Sequence, residues 1–358
     1  MSEKAIFLKT ETLFKVSLCC LLLCFCAASA QAQQTAFIGG NIKNAGSAKL
    51  TINSQAAPIG QDGQFEHRFA IEKPSWVVFK VGQEMGFFIR PGDSLRIELD
   101  AEDFFGSFQI DGRGQEVNRF ILRETHESVK LSEHFNRNYQ KLFTMKEMAY
   151  IALIDSLTSI FMHRFESFIK SQPNIDDGFV RAYRASVRYS GASSLMNYPN
   201  LYRRFAGKPD FQPSEQFYSF LDSLNFNDPQ LLDVEEYKSF LKMYMGWKAQ
   251  EILKTNSVLK SKNYNAFRAE FQVAMQTFTN PAVRSEMLYA VMRPLLSEYS
   301  IKGLDDLMDR FRANCANAEY VREIEEMYDN DKKIQEKCDV QVYKTVDGVA
   351  LDAFVYRP

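Results

Sequence analysis

The sequence predicts an α+β protein: an N-terminal antiparallel β-sandwich, a multi-helical domain and a short C-terminal β-hairpin. Three observations point there. From Thr35 to Gly112, short alternating apolar runs are separated by Gly-, Pro- and Asn-rich turns. From Glu116 the apolar spacing lengthens to three or four residues. Asp339 to Pro358 then returns to alternation around Asp347-Gly348, a strong hairpin signal. With 30 Phe and 16 Tyr, the chain has the aromatic volume for large cores.

The first 30 residues read as a secretory signal. Lys4, Lys9 and Lys15 precede an apolar run from Val16 to Ala28, and small residues follow it, predicting cleavage after Ala30 or Ala32. A run of that length is short for a bilayer span. A retained membrane anchor and a lipid-anchored start at Cys24 or Cys26 are the alternatives. Cleavage removes Cys19, Cys20, Cys24 and Cys26, leaving only Cys315 and Cys338. It also leaves 40 basic and 43 acidic residues. Such a near balance gives no electrostatic case for nucleic acid or an anionic membrane surface.

Within 35–112, strands are expected at Ala36 to Ile42, Lys49 to Ile52, Phe65 to Phe69 and Ser75 to Val81, the last a central one. Phe87 to Ile89 and Leu95 to Leu99 are read as a hairpin closed by the turn Pro91-Gly92-Asp93-Ser94. Residues 116–337 are read as the helical domain. Leu142, Met145, Ala149, Leu153, Leu157, Phe161, Phe165 and Phe168 form one stripe of a long amphipathic helix ending near Pro173. Shorter helices are expected around Phe217 to Leu224, and from Phe240 through Trp247 toward Ile252. Asn280-Pro281 has the cap-then-proline order of a helix start, followed by Val283, Met287 and Val291 before Pro294. Ile301 to Phe311 and Ala318 to Glu336 complete the helices, and 339–358 is the hairpin.

Residues able to carry chemistry read more simply as structure. His126 and His134, beside Glu127 and Glu133, form the only metal-like local cluster, but their spacing is not that of usual ligand pairs; His67 and His163 stand apart. Ser190-Gly191-Ala192-Ser193 lacks the frame of a nucleophile elbow and suits close helix approach. Asp93 fits a turn, and Asp100 and Asp103 a solvated strand end. The ring stripe Phe161, Phe165, Phe168 and the segment Leu195-Met196-Asn197-Tyr198-Pro199 read as core, with Tyr198 orienting a turn at Pro199. No catalytic, cofactor-binding or metal-binding residue is assigned, and no cofactor is expected.

Cys315 and Cys338 are either a structural disulfide or two separately buried thiols. A bridge needs α-carbons within about 7 Å. One unbroken helix from Ala318 to Glu336 would hold the two cysteines roughly 30 Å apart. Pairing therefore requires that helix to fold back near Asp329-Asn330-Asp331.

Gly39-Gly40-Asn41-Ile42-Lys43-Asn44, Asp62-Gly63-Gln64-Phe65, Lys73-Pro74 and Ile89-Arg90-Pro91-Gly92-Asp93-Ser94-Leu95-Arg96-Ile97 resemble the N-terminal sandwich of exported TlpA-type thioredoxin-like proteins of Bacteroidetes. Phe108 to Gly114, with Asn118, is similar to that family's exit into its helical region, and Asn197-Tyr198-Pro199 and Phe217 to Asp222 are similar too. The resemblance spans roughly 36–330. It implies a following thioredoxin domain with a Cys-x-x-Cys pair, whose chemistry rests on a low-pKa thiolate. No such pair is in this sequence. Tyr343 to Leu351 and Val355 to Pro358 instead resemble the opening hairpin of an exported α/β-hydrolase, whose Ser, Asp and His would follow Pro358.

The expected function is an exported, non-catalytic accessory or binding region, in the periplasm or another extracytoplasmic compartment, with an envelope protein as possible partner. It is expected to have no nucleic-acid partner and no transmembrane segment after signal cleavage. The alternatives are the lead-in of an exported esterase or peptidase truncated before its catalytic residues, and an envelope scaffold.

Overall fold

The computed structural model describes residues 35–172, 174–299, 301–344 and 350–356. The predicted signal and its cleavage site, Pro173 and the Asp347-Gly348 turn lie outside them. The fold is mixed α+β, sheets first and helices after. Contacts divide the chain into two compact units, one ending at Arg137 and the other starting at Asn138. No helix among the described residues is long and apolar enough to cross a membrane.

The first unit holds eight strands: β1 (Thr35–Lys43), β2 (Leu50–Ile52), β3 (Gln55–Ala57), β4 (Gln64–Ala70), β5 (Ser75–Val81), β6 (Gln83–Ile89), β7 (Ser94–Asp100) and β8 (Gln109–Arg113). They form two four-stranded sheets, ordered β4-β1-β7-β8 and β3-β2-β5-β6. The expected alternation is there: Leu50 and Ile52 on β2, and Val77, Phe79 and Val81 on β5, are buried. Between the sheets, Phe65 of β4 meets Phe79 of β5 at 5.9 Å between ring centroids, and Phe108 lies 5.9 Å from Phe79 and 6.0 Å from Phe87 of β6. Tilted and edge-on contacts of this kind stabilise by about 0.5–1.5 kcal/mol each beyond their burial.

Two strand expectations are corrected. The sheets are not wholly antiparallel, because β1 pairs with β7 in parallel, Gly40 opposite Ile97. Gly40 has φ +148°, and a Cβ there would stand 1.9 Å from the Ile97 carbonyl oxygen, so this pairing admits only glycine. Nor do β6 and β7 form a hairpin, since they lie in different sheets. The turn between them bonds to β1: Gly92 N–H donates to Thr35 O, and Phe37 N–H to Asp93 O, both at 3.0 Å. Asp93 is 4% exposed, and its carboxylate accepts the Arg90 N–H at 2.8 Å. The same Pro-Gly-Asp chemistry that closes a hairpin thus passes the chain between sheets.

After a single helical turn, α1 (Phe104–Ser107), helix α2 (Gln115–Arg137) belongs with the strands and not with the helices after it. Its Asn118 is fully buried. The side chain accepts from Phe88 N–H at 2.8 Å and donates to Phe88 O at 3.0 Å and Gly114 O at 2.8 Å, mimicking a neighbouring strand. Val117, Phe120 and Ile121 bury the same face. The period change at Glu116 therefore marks a helix start, while the compact unit closes at Arg137.

In the second unit, α3 (Tyr139–Phe143) and α4 (Glu147–Ser171) replace the one long helix expected from Leu142. The corner is held by hydrogen bonds. Tyr198 Oη donates to Met145 O at 2.9 Å, the Thr144 hydroxyl to Gln140 O at 2.8 Å, and Ser214 N–H to Glu147 Oε2 at 3.0 Å. The break turns the face inward at Tyr150 and Ile154 and leaves Ala149 exposed, while Phe165 is fully buried as expected. Helix α5 (Asp177–Phe205) runs through Pro199, so Tyr198 orients no turn there. Next come 3-10 turns at Glu215–Ser223 and Pro229–Leu231, then α6 (Glu235–Thr255), α7 (Ser257–Lys260) and α8 (Asn265–Thr277). Helix α9 (Pro281–Glu298) runs through Pro294, and α10 (Asp305–Asn314) and α11 (Ala318–Lys337) follow. Asn280 caps α9 as expected, its Oδ1 accepting from Ala282 and Val283 N–H at 3.0 and 3.3 Å. Tyr237, Phe240 and Leu241 of α6 share a core with Phe271 of α8 and Val283 and Met287 of α9, all fully buried. Strands β9 (Cys338–Lys344) and β10 (Ala350–Tyr356) pair antiparallel, Leu351 opposite Tyr343.

One ion pair fastens α8 to α10. Arg268, 7% exposed, gives both Nη groups to Asp306 at 2.8 Å and also bonds Asn263 O and Gly303 O. The hydrogen bond from Arg268 holds the Asp306 carboxyl below the usual aspartate range, against a smaller desolvation effect. The stabilisation is therefore present above the unfolded aspartate pKa, near 4, and lost as pH falls through the lower folded value.

Two outcomes follow. Asn118→Leu should lower unfolding free energy by about 2–4 kcal/mol in urea titrations, through three lost buried hydrogen bonds; a change under about 0.5 kcal/mol contradicts this role. Asp306→Asn should cost about 1 kcal/mol at neutral pH, discounted because Asp306 is half exposed. The gap from the unsubstituted protein should shrink toward pH 3, and an undiminished gap there rules the linkage out.

Candidate functional site

The helical unit carries a groove of about 610 Å³ with α5 as its floor. Ala185, Ala192 and Leu195 of α5 supply small or aliphatic floor positions. One wall is α4, through Ile154, Thr158 and Met162; the other is the 3-10 region, through Phe220, Leu224 and Leu231. Gly191 lets α4 and α5 approach, since a Cβ there would meet Thr158 Oγ1 at 2.8 Å and Ile154 Cγ2 at 3.6 Å. The serine and glycine of 190–193 thus serve helix approach, inside α5 and away from any strand-to-helix elbow.

Arginines edge the floor at helical spacing: Arg181, Arg184 and Arg188. Arg184 is held by Glu166 of α4, Nε to Oε1 at 2.9 Å and Nη2 to Oε2 at 3.1 Å. Arg188 and Asp228 act in opposite senses on the Tyr189 hydroxyl, whose pKa is raised chiefly by burial. Asp155 also lines the groove. Arg181 forms no ion pair among the described residues. Sequence reading passed over these arginines, although their three- and four-residue spacing along 181–188 was visible.

Three further polar groups lining the groove are already engaged. Tyr189 Oη donates to Asn225 O at 2.7 Å, the Ser223 hydroxyl to Phe220 O at 2.9 Å, and Asn225 Oδ1 accepts from Asn227 N–H at 2.9 Å. Beyond it, burial pushes the Tyr150 phenol up to about 12 and raises Tyr198 and Tyr237 as well. None of these phenols is poised to transfer a proton near neutral pH.

The residues singled out from sequence are not brought together. His126 stacks on Phe105 at 5.9 Å, His67 on Phe69 at 5.6 Å, and His134 lies 6.1 Å from Phe135. His163 is exposed on α4. Among the described residues, no group of three or more His, Cys, Asp and Glu could hold a metal ion. Asp93 is consumed by its turn. Asp100 accepts from Asn44 Nδ2 at 2.9 Å and from Glu102 N–H at 3.0 Å, and the Asn44 bond holds its carboxyl below the usual range. Cys315 carries a free thiol, with Sγ 3.6 Å from Asn317 O. Helix α11 passes 329–331 without the fold-back that a bridge to Cys338 was expected to need. The Cys338 side chain lies outside the described residues. No family model, curated protein or solved structure matches the chain.

Gly191→Leu should destabilise the protein by about 1–3 kcal/mol, because the added side chain must separate α4 from α5. Thermal unfolding reads this out; an unchanged midpoint would show that the two helices do not depend on their close approach at Gly191.

Proposed function

We propose that the chain is an exported, non-catalytic accessory or binding region of the TlpA-type thioredoxin-like kind, acting in the periplasm or another extracytoplasmic compartment. In this reading the two N-terminal sheets are its β-sandwich, and the helical unit presents a surface to an envelope partner or ligand. The observation that carries it is how polar groups are used in the helical groove. Tyr189 Oη, the Ser223 hydroxyl and Asn225 Oδ1 are bonded to neighbours, while apolar side chains line the groove beside Arg181 and Arg188, which form no ion pair among the described residues. That arrangement recognises and holds; it contains no activated nucleophile with a base beside it.

The antiparallel pairing of β9 with β10 favours a second reading, the lead-in of an exported α/β-hydrolase. The reading frame after Pro358 discriminates between them: a Gly-x-Ser-x-Gly segment supports the hydrolase, a strand leading to Cys-x-x-Cys the redox family. For the chain itself, insulin with dithiothreitol should be reduced no faster when the purified protein is added. Sustained acceleration, abolished by Cys315→Ser, defeats the non-catalytic reading.

A further inference from the structure

We propose that the outer edge of β4 takes up an extended peptide segment of another protein. The segment adds as an antiparallel strand across Glu66, Arg68 and Ala70, with an acidic residue opposite Arg68 and a basic one opposite Glu66. The site lies in the N-terminal unit and stands apart from the helical groove.

Register decides which backbone groups face outward. β4 is the last strand of its sheet. Along β1, Thr35 O and Phe37 N–H bond to the turn before β7, each at 3.0 Å, whereas Ile42 N–H bonds Gly63 O, just before β4, at 2.9 Å. Backbone groups alternate sides along a strand, so Ala36, Ile38 and Gly40 face β4, where Phe69, His67 and Phe65 stand opposite them. The β4 residues in the same alternation as Gln64, namely Glu66, Arg68 and Ala70, therefore turn their N–H and C=O away from the sheet. Gln64 itself shows this: its N–H donates to Asp62 Oδ1 at 3.1 Å, and its carbonyl accepts from Gly60 N–H at 2.8 Å, both in the preceding loop. Among the described residues, nothing engages the outward backbone groups of Glu66, Arg68 and Ala70 in that way.

These groups recur every second residue, about 6.8 Å apart, which is the repeat of an extended backbone. A helix spends its backbone groups along its own axis, and an acyl chain has none to offer. An added strand answers them directly.

Charge selects among strands. Glu66 and Arg68 are exposed on one face of the sheet, and neither forms an ion pair among the described residues; Arg68 lies over the Phe37 ring at 4.6 Å. Like charges directly opposite one another are destabilising. A second copy of β4, paired about a two-fold axis and clear of the engaged Gln64, would set Arg68 against its own counterpart, so the edge rejects its own kind. A strand carrying acid and base two residues apart meets both side chains. On the other face His67 and Phe69 are half-buried and stacked at 5.6 Å, while the nearby strand of the other sheet, β3, spans only three residues. The partner's intervening apolar side chains cover these rings.

The test uses the purified full-length protein and two blocked, labelled peptides read by fluorescence anisotropy. Thr-Val-Glu-Val-Lys-Val places its acid opposite Arg68 and its base opposite Glu66, and saturable binding at one site per chain is expected. Thr-Val-Lys-Val-Lys-Val should bind about tenfold more weakly. Arg68→Glu, an exposed change, should reverse that preference. N-methylation of the first peptide at its Glu and Lys should abolish binding, and hydrogen exchange at the Glu66 and Arg68 amides should slow at least about tenfold at saturation. Absence of saturable binding, binding that survives N-methylation, or a preference unmoved by Arg68→Glu overturns the proposal. So does a dimer that protects the same amides without peptide, because the edge would then belong to a second copy.

Discussion

The transfer of the chain from one sheet to the other between Ile89 and Ser94 constrains the rest of the N-terminal unit. Once β6 ends in one sheet and β7 begins in the other, both flanks of the turn expose backbone groups that must find partners. Asp93 and Asn118 supply them from opposite sides. Asp93 closes the turn on itself through Arg90 N–H, while its own carbonyl receives Phe37 N–H from β1. Asn118 answers both polar groups of Phe88, the residue before β6 ends, and ties in Gly114 at the exit of β8. Two buried polar side chains thereby fix where three strands and one helix meet. An amide fits at 118 because the site needs an acceptor and donors together.

The helical unit solves a related problem with tyrosines. Tyr198 bonds Met145 O, Tyr189 bonds Asn225 O, and the Tyr237 hydroxyl accepts Asp228 N–H. Each ring fills core volume while its hydroxyl meets a backbone group at a break between helices, where helical hydrogen bonding has stopped. Such breaks would otherwise desolvate orphan carbonyls and N–H groups at a cost of about 1–3 kcal/mol each. The raised phenol pKa values follow from the same burial, so structural role and chemical quietness have one cause.

Much of the element order was legible because periodicity reports which face is buried. The alternation at Leu50 and Ile52, the cap at Asn280 and the long helix from Ala318 to Lys337 all depend on neighbours within a few residues. The departures depend on partners far away in sequence. Pro-Gly-Asp chemistry reads alike whether the next strand pairs with the last one or crosses to β1, and only Thr35 and Phe37 decide. Pro199 and Pro294 read as helix ends, yet tertiary packing of Tyr198 and Leu295, both fully buried, carries each helix through. The histidines are a local case: the spacing of His126 and His134 was read as not that of ligand pairs, and His126 stacks on Phe105. The groove was the least visible, since its walls come from segments on either side of α5.

That groove is a consequence of how α5 is composed. Ala185, Gly191 and Ala192 lower its surface where large side chains would have filled the valley between α4 and the 3-10 region. Close approach at Gly191 then narrows the valley without closing it. Had the floor carried leucines there, packing would have sealed it, at a gain of about 25 cal/mol for each Å² of apolar surface covered. On its edge Arg184 is committed to Glu166, whereas Arg181 and Arg188, a turn to either side, form no ion pair among the described residues.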